Sequence, residues 1–133
     1  FKNNLWLQSA GIPFFANTPA VQAMNTEVDK DYPGLRHGPL WLENDLLAWS
    51  SGKLLADAVK AGGLGASGSP SAAEVVKGLT SIKGDDLDGM APSLTITPGK
   101  PHLVDCWFTA RVQNGTPAVA NNGQVTCQKG SAS

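Results

Sequence analysis

The chain is 133 residues long, enough for one hydrophobic core and not two. Its 41% hydrophobic and 16% charged residues are those of a soluble globular segment, and a formal net charge of −1 offers no basic patch to draw it to nucleic acid or an anionic membrane. No apolar run approaches the roughly 18 residues needed to cross a bilayer.

The sequence starts at Phe1 without an initiator Met, a charged n-region or an apolar h-region. It is therefore expected to follow a removed signal or, as the preferred reading, to start inside a longer protein. Leu5-Trp6-Leu7-Gln8 and Ile12 to Phe15 read as short extended segments separated by a turn at Gly11. Thr18 before Pro19 suits an N-cap and a first helical position, since the donor that proline lacks is unpaired there anyway. Val21, Met24, Val28 and Tyr32 continue at three- and four-residue spacing until Pro33-Gly34, which predicts an amphipathic helix of about three turns.

From Asn44, Leu47, Ser51, Leu54, Leu55, Ala58 and Val59 recur at helical spacing, and Gly62-Gly63 ends the run. Small residues at Ala48, Ser51 and Gly52 are expected to let a neighbour approach closely. The stretch GGLGASGSPS is a loop by composition. Ser71-Ala72-Ala73-Glu74 then opens a third helix with a capping-box pattern, carrying Val75, Val76 and Leu79.

After Gly84-Asp85-Asp86-Leu87-Asp88-Gly89 the period changes, and Leu94 to Thr97, Val104 to Val112 and Gln124 to Cys127 read as strands. Asn114-Gly115 and Asn122-Gly123 are turn dipeptides that tolerate positive φ, so successive antiparallel segments are expected. In the second strand Val104, Cys106, Phe108 and Ala110 share the buried face. Cys106 and Cys127 suggest a disulfide and an oxidising compartment, the other reading being two unrelated buried thiols. Residues from Gln128 to Ser133 are expected to fray.

Chemical motifs are thin. Gly63 to Gly68 has the letters of a dinucleotide fingerprint but follows a helix rather than a strand. Asp85, Asp86 and Asp88 lack the following acidic residue that a calcium loop needs, and read as a solvated turn. His102 and Cys106 would share a strand face with Asp105 pointing away, so no nucleophile, base and orienting group come together. With two histidines in all, a metal site is not expected. Asn114-Gly115-Thr116 has glycosylation-acceptor letters on a hairpin turn. The best recognition cluster is Trp41, Glu43, Asn44, Asp45 and Trp49, which joins aromatic area to orienting polar groups; the competing reading has Trp49 in the core and Asn44 or Asp45 capping the helix.

IPFFANTPAVQAM with KDYPG, AWSSGKLLADAVKAGG, SAAEVVKGL, GMAPSLTITPGKPH and DCWFTARVQNGTPAV, in that order, resemble the last third of type I periplasmic-binding-fold proteins of the branched-chain amino acid or amide-uptake group. The likeness runs from about Leu5 to Cys127. It implies an α/β fold in which residues 1–133 form the C-terminal segment of a two-lobed domain, helices leading into antiparallel strands. The Pro98 to Thr116 region would hold the last crossover, and Cys106 with Cys127 looks like the C-terminal bridge some members carry.

The function so implied is solute capture for an ABC importer by hinge closure, with no cofactor and no reaction. Implied partners are the solute, a transporter permease and the remaining N-terminal half of the fold, and the implied location is exported, periplasmic or at the cell surface. That N-terminal portion supplies most ligand-holding loops in the family, so no ligand residue carries over from it. Trp41, Glu43, Asn44 and Trp49 stand as ligand candidates on their own chemistry. The reading from another class is a structural or self-assembling module built on the same fold, and an enzyme using His102 or the acidic turn is the weakest.

Overall fold

The computed structural model describes residues 5–63, 68–101 and 104–128. The fingerprint-like loop, His102 and the C-terminal residues from 129 lie wholly or partly outside them. The chain is mixed α/β with antiparallel sheets. In chain order it runs β1 (Trp6–Ser9), α1 (Pro19–Asp31), α2 (Glu43–Ala61), α3 (Ala72–Ser81), β2 (Lys83–Asp85), β3 (Leu94–Thr95), β4 (Cys106–Gln113), β5 (Thr116–Val119) and β6 (Thr126–Cys127).

α1 starts as its letters dictate: Thr18 is the extended N-cap, its hydroxyl accepts from the Val21 N–H at 3.5 Å, and Pro19 follows. Val21 and Met24 are fully buried and Val28 partly so, whereas Tyr32 at the helix end is exposed. α3 closes the Ser71/Glu74 capping box, with Glu74 Oε2 accepting from the Ser71 N–H at 2.9 Å and Ser71 Oγ accepting from the Glu74 N–H at 3.3 Å.

α2 differs from its expected face. The buried side chains are Leu46, Ser50 and Ala58, with Leu54 partly covered, while Leu47, Ser51 and Leu55 face outward. Leu46, Ser50, Leu54 and Ala58 are spaced by four: Leu54 and Ala58 lie on the expected face, while Leu46 and Ser50 take the places expected of Leu47 and Ser51. The close approach is also elsewhere. Gly52 has open space around it, but a Cβ on Gly78 of α3 would sit 2.7 Å from the Ala58 carbonyl carbon, so the two helices cross where neither has a bulky side chain.

Ile12 to Phe15 is not a strand. Ile12 donates its N–H to the Met90 carbonyl at 3.0 Å, and a turn follows in which Ala16 donates to Pro13. Ile12 thereby enters a core with Ala16, Val21, Met24, Leu46, Leu87, Met90 and Phe108. Leu87 reaches it from the acidic turn with φ of 54°, and Asp88 and Gly89 continue at 61° and 83°. Left-handed backbone at a leucine is costly, and its burial at 3% exposure offsets the strain.

The strands are shorter than their patterns. Of Leu94 to Thr97 only Leu94–Thr95 is strand, paired with β2, and Ile96 adds one hydrogen bond from its N–H to the Ile82 carbonyl at 3.3 Å; the change of period did not reveal that partner. Gln124 to Cys127 reduces to Thr126–Cys127. β4 is the central strand: β1 lies antiparallel on one side with Trp6 opposite Arg111, and β5 follows through the Asn114-Gly115 turn at φ of 53° and 81°. β6 returns to the start of β4 and sets Cys127 opposite Cys106, where the two are disulfide-bonded. Closing a loop of 21 residues is worth about 3 kcal/mol in the chain-entropy account. Phe108 and Ala110 are buried as the alternation requires, whereas Val104, before the strand starts, is exposed.

Candidate functional site

α1 runs into a single turn at Leu35–His37, and the chain comes back past Trp41 into α2. That path leaves a groove of about 370 Å³ between the C-terminal half of α1 and the first turns of α2. Met24 and Val28 give it an apolar floor continuous with the core. Tyr32, Trp41 and Trp49 supply aromatic surface, and Glu27, Asp31 and Asp45 supply carboxylates.

The four candidate ligand residues divide. Trp41 and Trp49 line this groove, Trp41 half-buried against the core and Trp49 at 36% exposure. Trp49 is therefore neither a closed core residue nor a free one. Glu43 is occupied within the fold, since its Oε1 accepts from Ser9 Oγ at 3.0 Å and its Oε2 from the Phe14 N–H at 3.3 Å. It ties the segment after β1 to the start of α2. Asn44 is exposed and does not line the groove. Asp45 fills both roles considered for it, since its Oδ2 accepts from the Leu42 N–H at 2.8 Å at the helix start while the residue borders the groove.

Charge around the groove is uneven. Glu27 pairs with Lys30 at 3.2 Å on the solvent side. Asp29, on the next face of α1, is gripped by Arg36, whose Nε donates at 2.8 Å; this hydrogen bond holds the Asp29 carboxyl below its usual range and raises the Arg36 guanidinium. Asp31 has no hydrogen-bond or ion-pair partner among the described residues. It also sits in the last turn of α1, where the helix dipole disfavours negative charge.

Trp41 lines a second recess of about 340 Å³ with Phe14, Phe15, Asn17, Gln22, Asn25 and Arg36. Asn25 Oδ1 is shut off from solvent with no hydrogen-bond partner among the described residues.

The acidic turn is occupied internally. Asp85 Oδ1 accepts from the Leu87 N–H at 2.8 Å, Asp86 Oδ1 from the Gly89 N–H at 3.1 Å, and Asp88 pairs with Lys53 of α2 at 3.0 Å. The Asp88 hydrogen bond, helped by Asp57, raises the Lys53 ammonium above its ordinary value. Among the described residues no group of three or more His, Cys, Asp or Glu is placed to hold a metal ion. No helix among them is long and apolar enough to cross a membrane.

Sequence reasoning missed the α1 wall: Met24, Glu27, Val28, Asp31 and Tyr32. The signal was present, because Glu27 and Asp31 stand four apart beside Val28 and Tyr32 and so flank the apolar stripe near its open end. Compared with protein-family models, with curated proteins and with solved structures, the chain matches none.

Proposed function

We propose that this chain is the C-terminal segment of a type I periplasmic-binding-fold solute-binding protein, exported and disulfide-bonded, which holds a branched-chain amino-acid-like or amide solute for an ABC-importer permease and carries out no reaction. The observation that carries solute binding is the groove between α1 and α2, where Trp41 and Trp49 meet an apolar floor rimmed by carboxylates. A concave apolar site with a few polar groups at its margin is the usual form of a small-molecule pocket, and about 370 Å³ suits a ligand of amino-acid size. The order of elements supports the fold reading, with three helices leading into antiparallel strands closed by Cys106–Cys127. In this proposal the N-terminal half of the fold packs against the same surface and closes over the solute by hinge motion.

The groove lies within this chain, so binding is measurable on it directly. Melting temperature is followed with leucine, valine or leucinamide against glucose as control. A rise that grows with the concentration of one of the first three supports the reading, because only native-state binding stabilises by mass action. Equal melting curves in all four sink it.

A second reading, a self-assembling or interaction module on the same fold, is favoured by a different observation: Trp6 and Leu7 on β1, and Leu40, Leu42 and Leu55 around α2, are each more than half exposed. Concentration-dependent assembly without any ligand effect would select it.

A further inference from the structure

Three carboxylates line the α1–α2 groove, and no lysine, arginine or histidine does so among the described residues. Tyr32, Trp41 and Trp49 also line it, and the face of an aromatic ring attracts a cation. The C-terminal end of α1, where Glu27 and Asp31 lie, contributes its carbonyl oxygens, again negative. Asp31 gains nothing from its neighbours: it has no partner among the described residues and opposes the dipole of its own helix. Of the other two, Glu27 is engaged by Lys30 on its outer side and Asp45 by the Leu42 N–H, each through one oxygen only.

From these features we infer that the groove selects an organic cation, an ammonium group on a small branched or flat apolar body, over the zwitterion or the acid of the same skeleton. The inference rests on the solute-binding reading above and names the solute's charge. The ammonium lies among Asp31, Asp45 and the aromatic faces, while the apolar body covers Met24 and Val28. A free α-amino acid brings its own carboxylate into this field and is disfavoured; an amine or an amino-acid amide is not. Carboxylate contacts at an open rim are screened, so each contributes modestly, roughly two- to five-fold in affinity.

The test is a titration of the full chain, followed by backbone amide NMR and tryptophan fluorescence, with three ligands of one skeleton: 3-methylbutylamine, 3-methylbutanol and leucine. The amine is expected to bind tightest, to perturb amides of α1 and of α2 around Trp49, and to weaken as salt is added. Asp31→Asn, at an exposed site with no partner among the described residues, is expected to lower amine affinity roughly two- to five-fold and leave the alcohol unchanged. Amine binding that equals the alcohol's, or that is indifferent to Asp31→Asn, overturns the inference. Tighter binding of leucine also overturns it while leaving solute capture intact. If none of the three binds, the inference and the groove as a solute site fall together.

Discussion

Ser50 lies on the buried stripe of α2, its hydroxyl shut off from solvent and without a hydrogen-bond partner among the described residues. Its neighbour Ser51 donates back to the Leu47 carbonyl at 2.8 Å, so the same helix shows what a satisfied serine does. A buried hydroxyl that makes no bond keeps its desolvation cost, and alanine is the better helix former. Ser50→Ala is expected to stabilise by about 1 kcal/mol, read as a higher urea midpoint with unchanged slope. A loss of stability would mean that the hydroxyl has a partner after all. Acid acts at other single residues. The Ser71 hydroxyl and N–H hold the Glu74 carboxyl below its ordinary value of 4.5, and Arg36 holds Asp29 below 3.8. Both folded values lie under the unfolded ones, so the stability they contribute is complete above the ordinary range and is lost as pH falls through it. Urea midpoints are therefore expected to drop below about pH 4.5, and Ser71→Ala is expected to flatten its share of that drop. An identical acid limb in the variant would show that Glu74 is free. Such local devices were legible: Ser71 with Glu74, Thr18 with Pro19, and Asn114-Gly115 act over three residues or fewer. Glu43 was not, because its partners are 29 and 34 residues away and a carboxylate beside two tryptophans looks the same whether it meets a ligand or Ser9.

The α2–α3 contact tests how helices find each other here. Gly78 and Ala58 are both buried, and a Cβ added at Gly78 would collide with backbone atoms of Ala58, which cannot rotate away. Gly78→Ala would otherwise be helped by helix propensity, worth about 1 kcal/mol. Overpacking should outweigh that gain and leave a net loss of roughly 1 to 3 kcal/mol, whereas Gly52→Ala, facing open space, should stabilise. Urea unfolding of the two variants checks the sign in each case; a neutral Gly78→Ala would mean that the helices stand further apart. The existence and limits of α1, α2 and α3 were legible from caps and period, but the face of α2 only in its second half, at Leu54 and Ala58. Its leucines come in pairs, Leu46-Leu47 and Leu54-Leu55, so periodicity alone cannot decide which of each pair is inside. Tertiary context decided it, since Leu46 is the one that enters the core with Ile12, Val21, Met24, Met90 and Phe108. β2 and β3 were hidden for a similar reason: Lys83–Asp85 has no alternation to recognise, and its pairing partner is supplied by the return of the chain after the acidic turn.

At the scale of the molecule, surface is the leading fact. Several large apolar side chains are open: Leu40 is 79% exposed, Trp6 60%, Leu7 52% and Leu55 51%. β1 is in addition an outer strand whose only neighbour among the described residues is β4, so one row of its backbone donors and acceptors is open to pairing. Neither feature was legible, because both depend on what does not cover a residue rather than on the residue itself. Together they predict that the chain alone associates reversibly, either through strand addition at β1 or through the leucines around α2. Sedimentation velocity over about a hundredfold range of concentration is expected to show the mean mass rising. Leu7→Lys places a charge on the open strand and should abolish association if the edge carries it, while Leu40→Glu with Leu55→Glu should do so if the helical surface does. Binding of a separate partner, such as the other half of a two-lobed fold, would compete with this association and restore a single species of defined mass. A chain that stays monomeric at every concentration would mean that its exposed apolar side chains are scattered singles, as on any protein surface, and would remove the physical ground for both the proposed second half and the self-assembling module.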